Sequence, residues 1–124
     1  MTNELIVIGG GNMASAILTR AIEQGIVARD ALLVVEPNAD RRKLFQTLGT
    51  QAFASCIDIR DRLRPEATIL LAIKPQMLAS VAEEIADLGF SGLVISILAG
   101  MGSQRVRSAL GGKCRVVRVM PNTP

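Results

Sequence analysis

The loop Gly-Gly-Gly-Asn-Met-Ala, residues 9–14, joins the first apolar run of the chain to a segment with helical periodicity. In the pattern G-x-G-x-x-G/A, Gly9 permits a tight turn, Gly11 lets the backbone approach a pyrophosphate, and Ala14 allows close packing of helix on strand. Unpaired N–H groups and the dipole at the start of the helix then favour an anion. A plain turn also explains a glycine triplet, but this context favours dinucleotide binding.

Charged residues after the second apolar run bear on the choice of cofactor. Glu36 occupies the position at which an acidic residue accepts hydrogen bonds from the adenosine ribose hydroxyls. Arg41 and Arg42 follow, and either guanidinium is suited to a ribose 2′-phosphate. A carboxylate would repel that phosphate, so the residues favour NAD or the use of both cofactors. A solvated helix face is an equally good interpretation of the two arginines.

Three later strand ends carry further candidates. Lys74 follows the fourth apolar run and is therefore expected at the edge where open α/β sheets bind ligands. The alternative is an ordinary solvent-exposed lysine at a strand end. The small residues of the Ser-Ile-Leu-Ala-Gly segment, residues 96–100, would admit a flat ring, and a simple turn is the alternative. In the final Met-Pro-Asn-Thr-Pro segment, residues 120–124, Asn122 offers amide hydrogen bonds, and turn chemistry is again the alternative.

The elements that must position these residues alternate between β-rich runs and helical periodicity, which is typical of βαβ units. Strands are predicted at residues 4–9, 31–36, 50–54, 68–73, 92–98 and 115–120, most of them continuous apolar runs typical of buried strands. Helices are predicted at residues 13–22, 40–48, 75–88 and 103–110. The expected fold is one α/β domain over residues 1–124, Rossmann-like and doubly wound, with a mostly parallel sheet in three αβα layers. The last strand is also expected to be buried, yet no helix follows it to cover its neighbours, which predicts a longer parent protein.

Composition excludes several other kinds of function. A balance of 14 basic to 11 acidic residues, with three Phe and no Trp or Tyr, argues against nucleic-acid binding. The chain has no histidine, and Cys56 and Cys114 stand far apart, so no metal site is expected and histidine-based catalysis is impossible. No apolar run is long enough for a membrane span, and a cytoplasmic location is the expectation.

Taken together, four segments resemble pyrroline-5-carboxylate reductase, specifically its N-terminal dinucleotide-binding domain. They are GGGNMA at residues 9–14, LAIKPQ at residues 71–76, SILAG at residues 96–100 and RVMPNTP at residues 118–124. The resemblance implies an oxidoreductase of proline biosynthesis that uses NADPH or NADH to reduce 1-pyrroline-5-carboxylate to L-proline. It also implies an additional helical domain, absent from this chain, that forms the homo-oligomer and much of the imino-acid pocket. The fragment alone is therefore expected to be inactive.

The same resemblance implies a set of cofactor-binding residues and leaves the catalytic residues unknown. The pyrophosphate would bind at Ile8, Gly9, Gly10, Gly11, Asn12 and Met13, the adenosine ribose at Glu36 and Asn38, and the nicotinamide side at Ala72, Ile73, Lys74, Pro75, Ile97, Leu98 and Ala99. Two positions depart from the family pattern. Family members commonly prefer NADPH and have small or polar residues after the second strand, where this chain has Glu36. Residues 54–57 read Ala-Ser-Cys-Ile where the family often has a cofactor-contacting asparagine.

Two alternative functions stay open on the sequence alone. A β-hydroxyacid or prephenate dehydrogenase would share the glycine loop but usually lacks the MPNTP segment at residues 120–124. A nucleotide-sensing domain without chemistry of its own would share the loop as well. Whether the parent protein continues into a helical domain would distinguish this second alternative from the reductase.

Overall fold

The structure, a computed structural model, describes residues 4–120 as a single six-stranded sheet with helices. The strands are β1 (Leu5–Ile8), β2 (Leu32–Val35), β3 (Gln51–Phe53), β4 (Thr68–Leu71), β5 (Leu93–Ser96) and β6 (Arg115–Arg118). Their order is β3-β2-β1-β4-β5-β6, and every neighbouring pair is parallel. Strands β1 to β3 extend the sheet in one direction and β4 to β6 extend it in the other. This switch in strand order opens a crevice at the carboxyl ends of β1 and β4.

Helices pack on the two faces of this sheet in separate groups. The α-helices are α1 (Asn12–Glu23), α2 (Ala39–Thr47), α3 (Leu78–Ile85) and α4 (Ser103–Ala109). Short 3₁₀ segments are Arg29–Ala31, Cys56–Arg62, Pro75–Met77 and Ala86–Leu88. Buried side chains of α1 and α2 belong to one apolar cluster, whereas those of Cys56–Arg62, α3 and α4 belong to the other. The sheet therefore separates two cores.

The central strands supply both cores by alternation. In β1, Ile6 and Ile8 enter the α3 side while Val7 enters the α1 side. All four residues of β2 are buried, since a strand covered on both faces has no position that meets water. This explains why the sequence of these strands is continuously apolar instead of alternating.

The predicted fold class is confirmed, and the sheet is parallel throughout the described residues. All six predicted strands are present, each two or three residues shorter than predicted. The predicted helix over residues 75–88 contains two changes of helix type, because Pro75–Met77 and Ala86–Leu88 are 3₁₀ turns around α3. Gly89 ends it with a left-handed φ of +66°, as its position in the sequence indicated.

The expectation that the last strand is buried is wrong. Only Val116 of β6 packs against a core, whereas Val117 is 50% exposed, because no helix of the described residues covers the α1 side of this strand. Within residues 4–120, no helix combines the length and apolar character that crossing a bilayer requires.

Candidate functional site

The glycine loop follows β1 at the crevice and is shaped by contacts with β4. Gly9 has a φ of +103°, and its N–H donates to the Val35 carbonyl over 2.9 Å. A Cβ atom at Gly9 would lie 2.6 Å from the carbonyl oxygen of Ala72, so only glycine fits there. The loop thus turns sharply against the end of β4 and directs the chain into α1.

The N-terminus of α1 is open at this loop. Gly11 is the N-cap in extended conformation, no side chain caps the helix, and no acidic residue stands in its first turn. The first helical hydrogen bond runs from the Ser15 N–H to the Gly11 carbonyl, so the amides before Ser15 have no partner within the helix. A Cβ at Gly11 would meet no atom within 4 Å. This uncapped 12-residue helix and the free space before it fit an anion such as a pyrophosphate.

The Glu36 carboxylate bridges the glycine loop and the loop after β2. Its Oε1 accepts from the Gly10 N–H and its Oε2 from the Asn38 N–H, each over 2.8 Å. A Cβ at Gly10 would lie 2.9 Å from Cγ of Glu36, so the two residues also pack closely. One loop amide is therefore capped by the protein, which the sequence did not predict. An ionised carboxylate has more acceptor positions than these two bonds use, so Glu36 retains capacity for a ribose hydroxyl.

The sequence did not distinguish Arg41 from Arg42, but the two side chains have different surroundings in the structure. Asn38 caps α2 through its Oδ1, which accepts from the Arg41 N–H over 3.1 Å. The Arg41 guanidinium reaches the Gly10 carbonyl over 3.3 Å and lines the cavity at the loop. The Arg42 guanidinium instead donates to the carbonyls of Glu36 and Pro37, over 2.8 and 2.7 Å. Arg41 is thus the arginine that faces a ligand at this site.

The opposite wall comes from α3 and the 3₁₀ segment Cys56–Arg62. Glu84 of α3 accepts at Oε1 from the Ser55 hydroxyl over 2.6 Å and from the Cys56 N–H over 2.7 Å. Burial, followed by the neighbouring Glu84 carboxylate, raises the pKa of the Cys56 thiol to about 12. This thiol stays protonated at neutral pH and is a poor nucleophile, so the wall is structural in character.

These elements enclose a cavity of about 310 Å³ at the carboxyl edge of the sheet. Nine of the predicted cofactor residues line it: Ile8, Gly9, Gly10, Gly11, Glu36, Asn38, Ala72, Ile73 and Lys74. Six others do not: Asn12, Met13, Pro75, Ile97, Leu98 and Ala99. Leu98 is buried in the α3-side core, and the Ile97 side chain lines a different groove beside α1. The final segment with Asn122 lies outside the described residues.

Ten further residues line the cavity, and of these only Arg41 had been considered from the sequence as a ligand contact, for a 2′-phosphate. They are Val35, Pro37, Arg41, Ala54, Ser55, Cys56, Met77, Ser80, Val81 and Glu84. Met77, Val81 and Glu84 recur at helical spacing within the helix predicted over residues 75–88, so they share one face of it. Because this helix starts at the carboxyl edge, directly after β4, the beginning of that face lies at the crevice. This position in the sequence was the signal that could have identified these lining residues. Within residues 4–120, no group of three or more potential ligand residues is arranged to hold a metal ion.

Comparison with known proteins agrees with this geometry. A family model described as NADP oxidoreductase coenzyme F420-dependent matches residues 4–100. The pyrroline-5-carboxylate reductase of Pasteurella multocida is 42% identical over 119 residues, which are 94% of this chain and 43% of that protein. The solved pyrroline-5-carboxylate reductase of Coxiella burnetii is 31% identical with a TM-score of 0.84, covering 100% of this chain and 46% of that one.

A second solved structure is Plasmodium falciparum pyrroline carboxylate reductase with NADP bound. It is 25% identical, with a TM-score of 0.78, and the match covers 99% of this chain and 44% of that one. The chain thus spans less than half the length of the relatives it matches. The resemblance that the sequence motifs indicated is confirmed.

Proposed function

Because the chain belongs to the family described as NADP oxidoreductase coenzyme F420-dependent, we propose that it is the cofactor-binding half of a reductase that converts 1-pyrroline-5-carboxylate into L-proline. The observation that carries the proposal is the uncapped start of α1 behind Gly11, which opens on the crevice between β1 and β4. The substrate is inferred from relatives named pyrroline-5-carboxylate reductase.

In this proposal the dinucleotide lies across the carboxyl edge of the sheet. Its pyrophosphate rests at Gly11 and the first amides of α1, which have no partner within the helix, whereas the N–H groups of Gly9 and Gly10 already donate to Val35 and Glu36. Glu36 and Asn38 bind the adenosine ribose, and the wall formed by Met77 and Val81 supplies an apolar surface for the adenine ring. The nicotinamide extends along the exits of β4 and β5.

The residues around the ribose lead us to propose that NADH is bound in preference to NADPH. The Glu36 carboxylate is held at the ribose end of the cavity by two backbone amides. A 2′-phosphate there would meet its negative charge, whereas a 2′-hydroxyl would donate a hydrogen bond to it. Arg41 lines the same cavity and offsets part of this repulsion, so NADPH is a weaker ligand that still binds.

When bound, the reduced nicotinamide supplies the hydride that adds to the carbon of the substrate's C=N bond. The residues of this chain bind and orient the dinucleotide, so that the hydride donor is already held in position when the substrate binds. The chain has no histidine, and we assign proton delivery to none of its residues. We place the imino-acid pocket and the oligomer contacts in the part of the enzyme that relatives carry beyond the match. The two buried free cysteines support a reducing, cytoplasmic location.

Isothermal titration calorimetry of the 124-residue chain with NADH and with NADPH tests the cofactor assignment. We expect one dinucleotide per chain, tighter binding of NADH, and no turnover of 1-pyrroline-5-carboxylate. A chain that unfolds cooperatively yet binds neither dinucleotide at millimolar concentration would overturn the assignment. The substrate is tested separately in the natural protein that carries this chain. That protein should reduce 1-pyrroline-5-carboxylate and should not oxidise prephenate or β-hydroxyacids.

A further inference from the structure

The wall that α3 contributes to the cavity carries apolar and polar side chains side by side. Met77 stands just before α3, and Ser80, Val81 and Glu84 follow it at helical spacing, so all four lie on one face of the helix. Met77 and Val81 offer an apolar surface, whereas Ser80 and Glu84 offer hydrogen-bonding groups beside it. Such a wall suits a flat ring whose polar atoms lie along its edge.

The carboxylate of Glu84 is held in place by the loop after β3. Its Oε1 accepts from the Ser55 hydroxyl over 2.6 Å and from the Cys56 N–H over 2.7 Å, and neither bond uses Oε2. A carboxylate has acceptor positions on both oxygens, so Glu84 keeps capacity for a ligand. Helical side chains lean toward the start of their helix, which for α3 is the carboxyl edge of the sheet. Glu84 therefore presents a fixed acceptor to the cavity that it lines.

We infer that Glu84 recognises the base of the bound dinucleotide by accepting a hydrogen bond from the exocyclic amino group of adenine. The inference rests on the proposed function, because it requires a dinucleotide whose ring lies on Met77 and Val81. Adenine presents this amino donor next to a ring nitrogen that accepts, and one acceptor paired with one donor recognises it. Glu84 supplies the acceptor, and the hydroxyl of Ser80, one helical turn away, supplies the donor.

The position of this wall in the cavity distinguishes adenine from the other parts of the dinucleotide. The same cavity joins Glu84 to Glu36 and Asn38, where we place the adenosine ribose, so the ring beside that ribose is adenine and not nicotinamide. A phosphate at this wall would meet the negative charge of Glu84, whereas Gly11 and the start of α1 offer it free amides. The amino group of adenine is thus the donor that reaches this carboxylate.

Recognition by a carboxylate also implies selection against related bases. Hypoxanthine carries a carbonyl oxygen where adenine carries the amino group. An ionised carboxylate only accepts hydrogen bonds, so the carbonyl would face Glu84 without a proton between the two oxygens. Sites built to hydrogen-bond a substrate group reject the analogue that lacks it, because buried polar atoms are then left unpaired. The chain should therefore bind adenine dinucleotides more tightly than their hypoxanthine counterparts.

The inference is tested by calorimetric titration of the 124-residue chain with NADH and with reduced nicotinamide hypoxanthine dinucleotide, which differ at this one group. The unmodified chain should bind NADH about tenfold more tightly. In Glu84→Gln, the donors of Ser55 and Cys56 keep the amide oxygen on their side, so the amide NH₂ replaces Oε2 and favours the carbonyl of hypoxanthine. The preference for NADH should therefore fall about tenfold.

Glu83→Gln is the matched control, since Glu83 is the adjacent residue, is exposed and does not line the cavity. It should keep the preference of the unmodified chain. Urea unfolding shows whether each variant is folded. If Glu84 only anchors Ser55 and Cys56, glutamine will weaken both dinucleotides equally, and an unchanged preference in Glu84→Gln would overturn the inference.

The unmodified chain provides a second test that does not depend on the folding of a variant. Equal affinity for NADH and for the hypoxanthine dinucleotide would overturn the role of Glu84, while the binding of NADH itself would leave the proposed cofactor site intact. Binding of neither dinucleotide by the folded chain would overturn the proposed function, and this inference with it.

Discussion

Glu36 Oε1 accepts the Gly10 N–H over 2.8 Å and so ties the end of β2 to the glycine loop. The bond fixes a carboxylate on the wall of the cavity, with the Asn38 N–H bound to its second oxygen. Glu36 therefore has two consequences for the site. It shapes the loop, and it places a negative charge where we propose that the adenosine ribose binds.

Glu36→Gln should shift the cofactor preference toward NADPH. The amide oxygen of glutamine preserves one acceptor for the Gly10 N–H, while the charge that repels a 2′-phosphate is removed. We expect the ratio of the NADPH and NADH dissociation constants to fall about tenfold, equivalent to about 1.4 kcal/mol. Calorimetric titration of the 124-residue chain measures both constants.

Glu23→Gln is the control for this change of charge, since Glu23 is exposed at the far end of α1. It should leave the ratio unaltered. An unchanged ratio in the Glu36→Gln variant, with binding intact, would show that the carboxylate does not act on the cofactor choice.

Arg41→Ala and Arg42→Ala should have different effects on the two cofactors. Arg41 lines the cavity, so its loss should weaken NADPH about tenfold and NADH much less, because only NADPH carries the 2′-phosphate. Arg42 holds the carbonyls of Glu36 and Pro37, so its loss should loosen the loop and weaken both cofactors to a similar extent. Titration with both cofactors gives the two ratios. The assignment of Arg41 fails if Arg42→Ala is the variant that changes the ratio.

Gly9→Ala and Gly11→Ala should have different effects, the first mainly on stability and the second mainly on cofactor binding. Alanine at position 9 would place Cβ 2.6 Å from the Ala72 carbonyl at a φ of +103°, so we expect a loss of several kcal/mol in the free energy of unfolding. Alanine at position 11 meets no atom within 4 Å and should cost about 1 kcal/mol or less, as a poorer N-cap. Its Cβ instead obstructs the approach of a pyrophosphate and should weaken cofactor binding about tenfold.

Urea unfolding and calorimetry on the same preparations distinguish these two effects. A Gly11→Ala variant that binds both cofactors as tightly as the unmodified chain would place the pyrophosphate elsewhere. Stability of the Gly9→Ala variant equal to that of the parent would contradict the close contact between the loop and β4.

The sheet was predictable from sequence because its signals are local. Continuous apolar runs identified β1, β2 and β4 as covered on both faces, and the alternation of β-rich runs with helical periodicity indicated the parallel arrangement. The burial of β6 was predicted wrongly, since a valine-rich strand has the same sequence whether its cover lies in this chain or in another part of the protein. The 3₁₀ segment Cys56–Arg62 was missed because two buried residues, Cys56 and Ile59, are too few to give a helical pattern, and the backbone is non-helical at Ile59.

The site, like the fold, was predictable only where its signals are local in the sequence. The residues of the glycine loop and Glu36 follow from a motif with fixed spacing. The bonds from Ser55 and Cys56 to Glu84 connect residues 29 and 28 positions apart, respectively, and no spacing rule anticipates such pairs. The different surroundings of Arg41 and Arg42 likewise depend on where α2 begins relative to the loop, which Asn38 sets by capping it.

The Cys56 thiol should make the chain lose stability at alkaline pH. Burial, and then the Glu84 carboxylate, raises its pKa from the ordinary 9.0 to about 12 in the folded chain. Above pH 9 the unfolded chain releases this proton while the folded chain keeps it, so the stabilisation is complete below pH 9 and declines as the pH rises toward 12. The free energy of unfolding should therefore fall by about 1 kcal/mol more between pH 8 and pH 10 than in Cys56→Ala. Urea unfolding at both pH values measures the difference, and Cys114→Ala, which retains the Cys56 thiol, should keep most of the decline. If Cys56→Ala declines as steeply as the unmodified chain, the buried thiol beside Glu84 is not the group responsible.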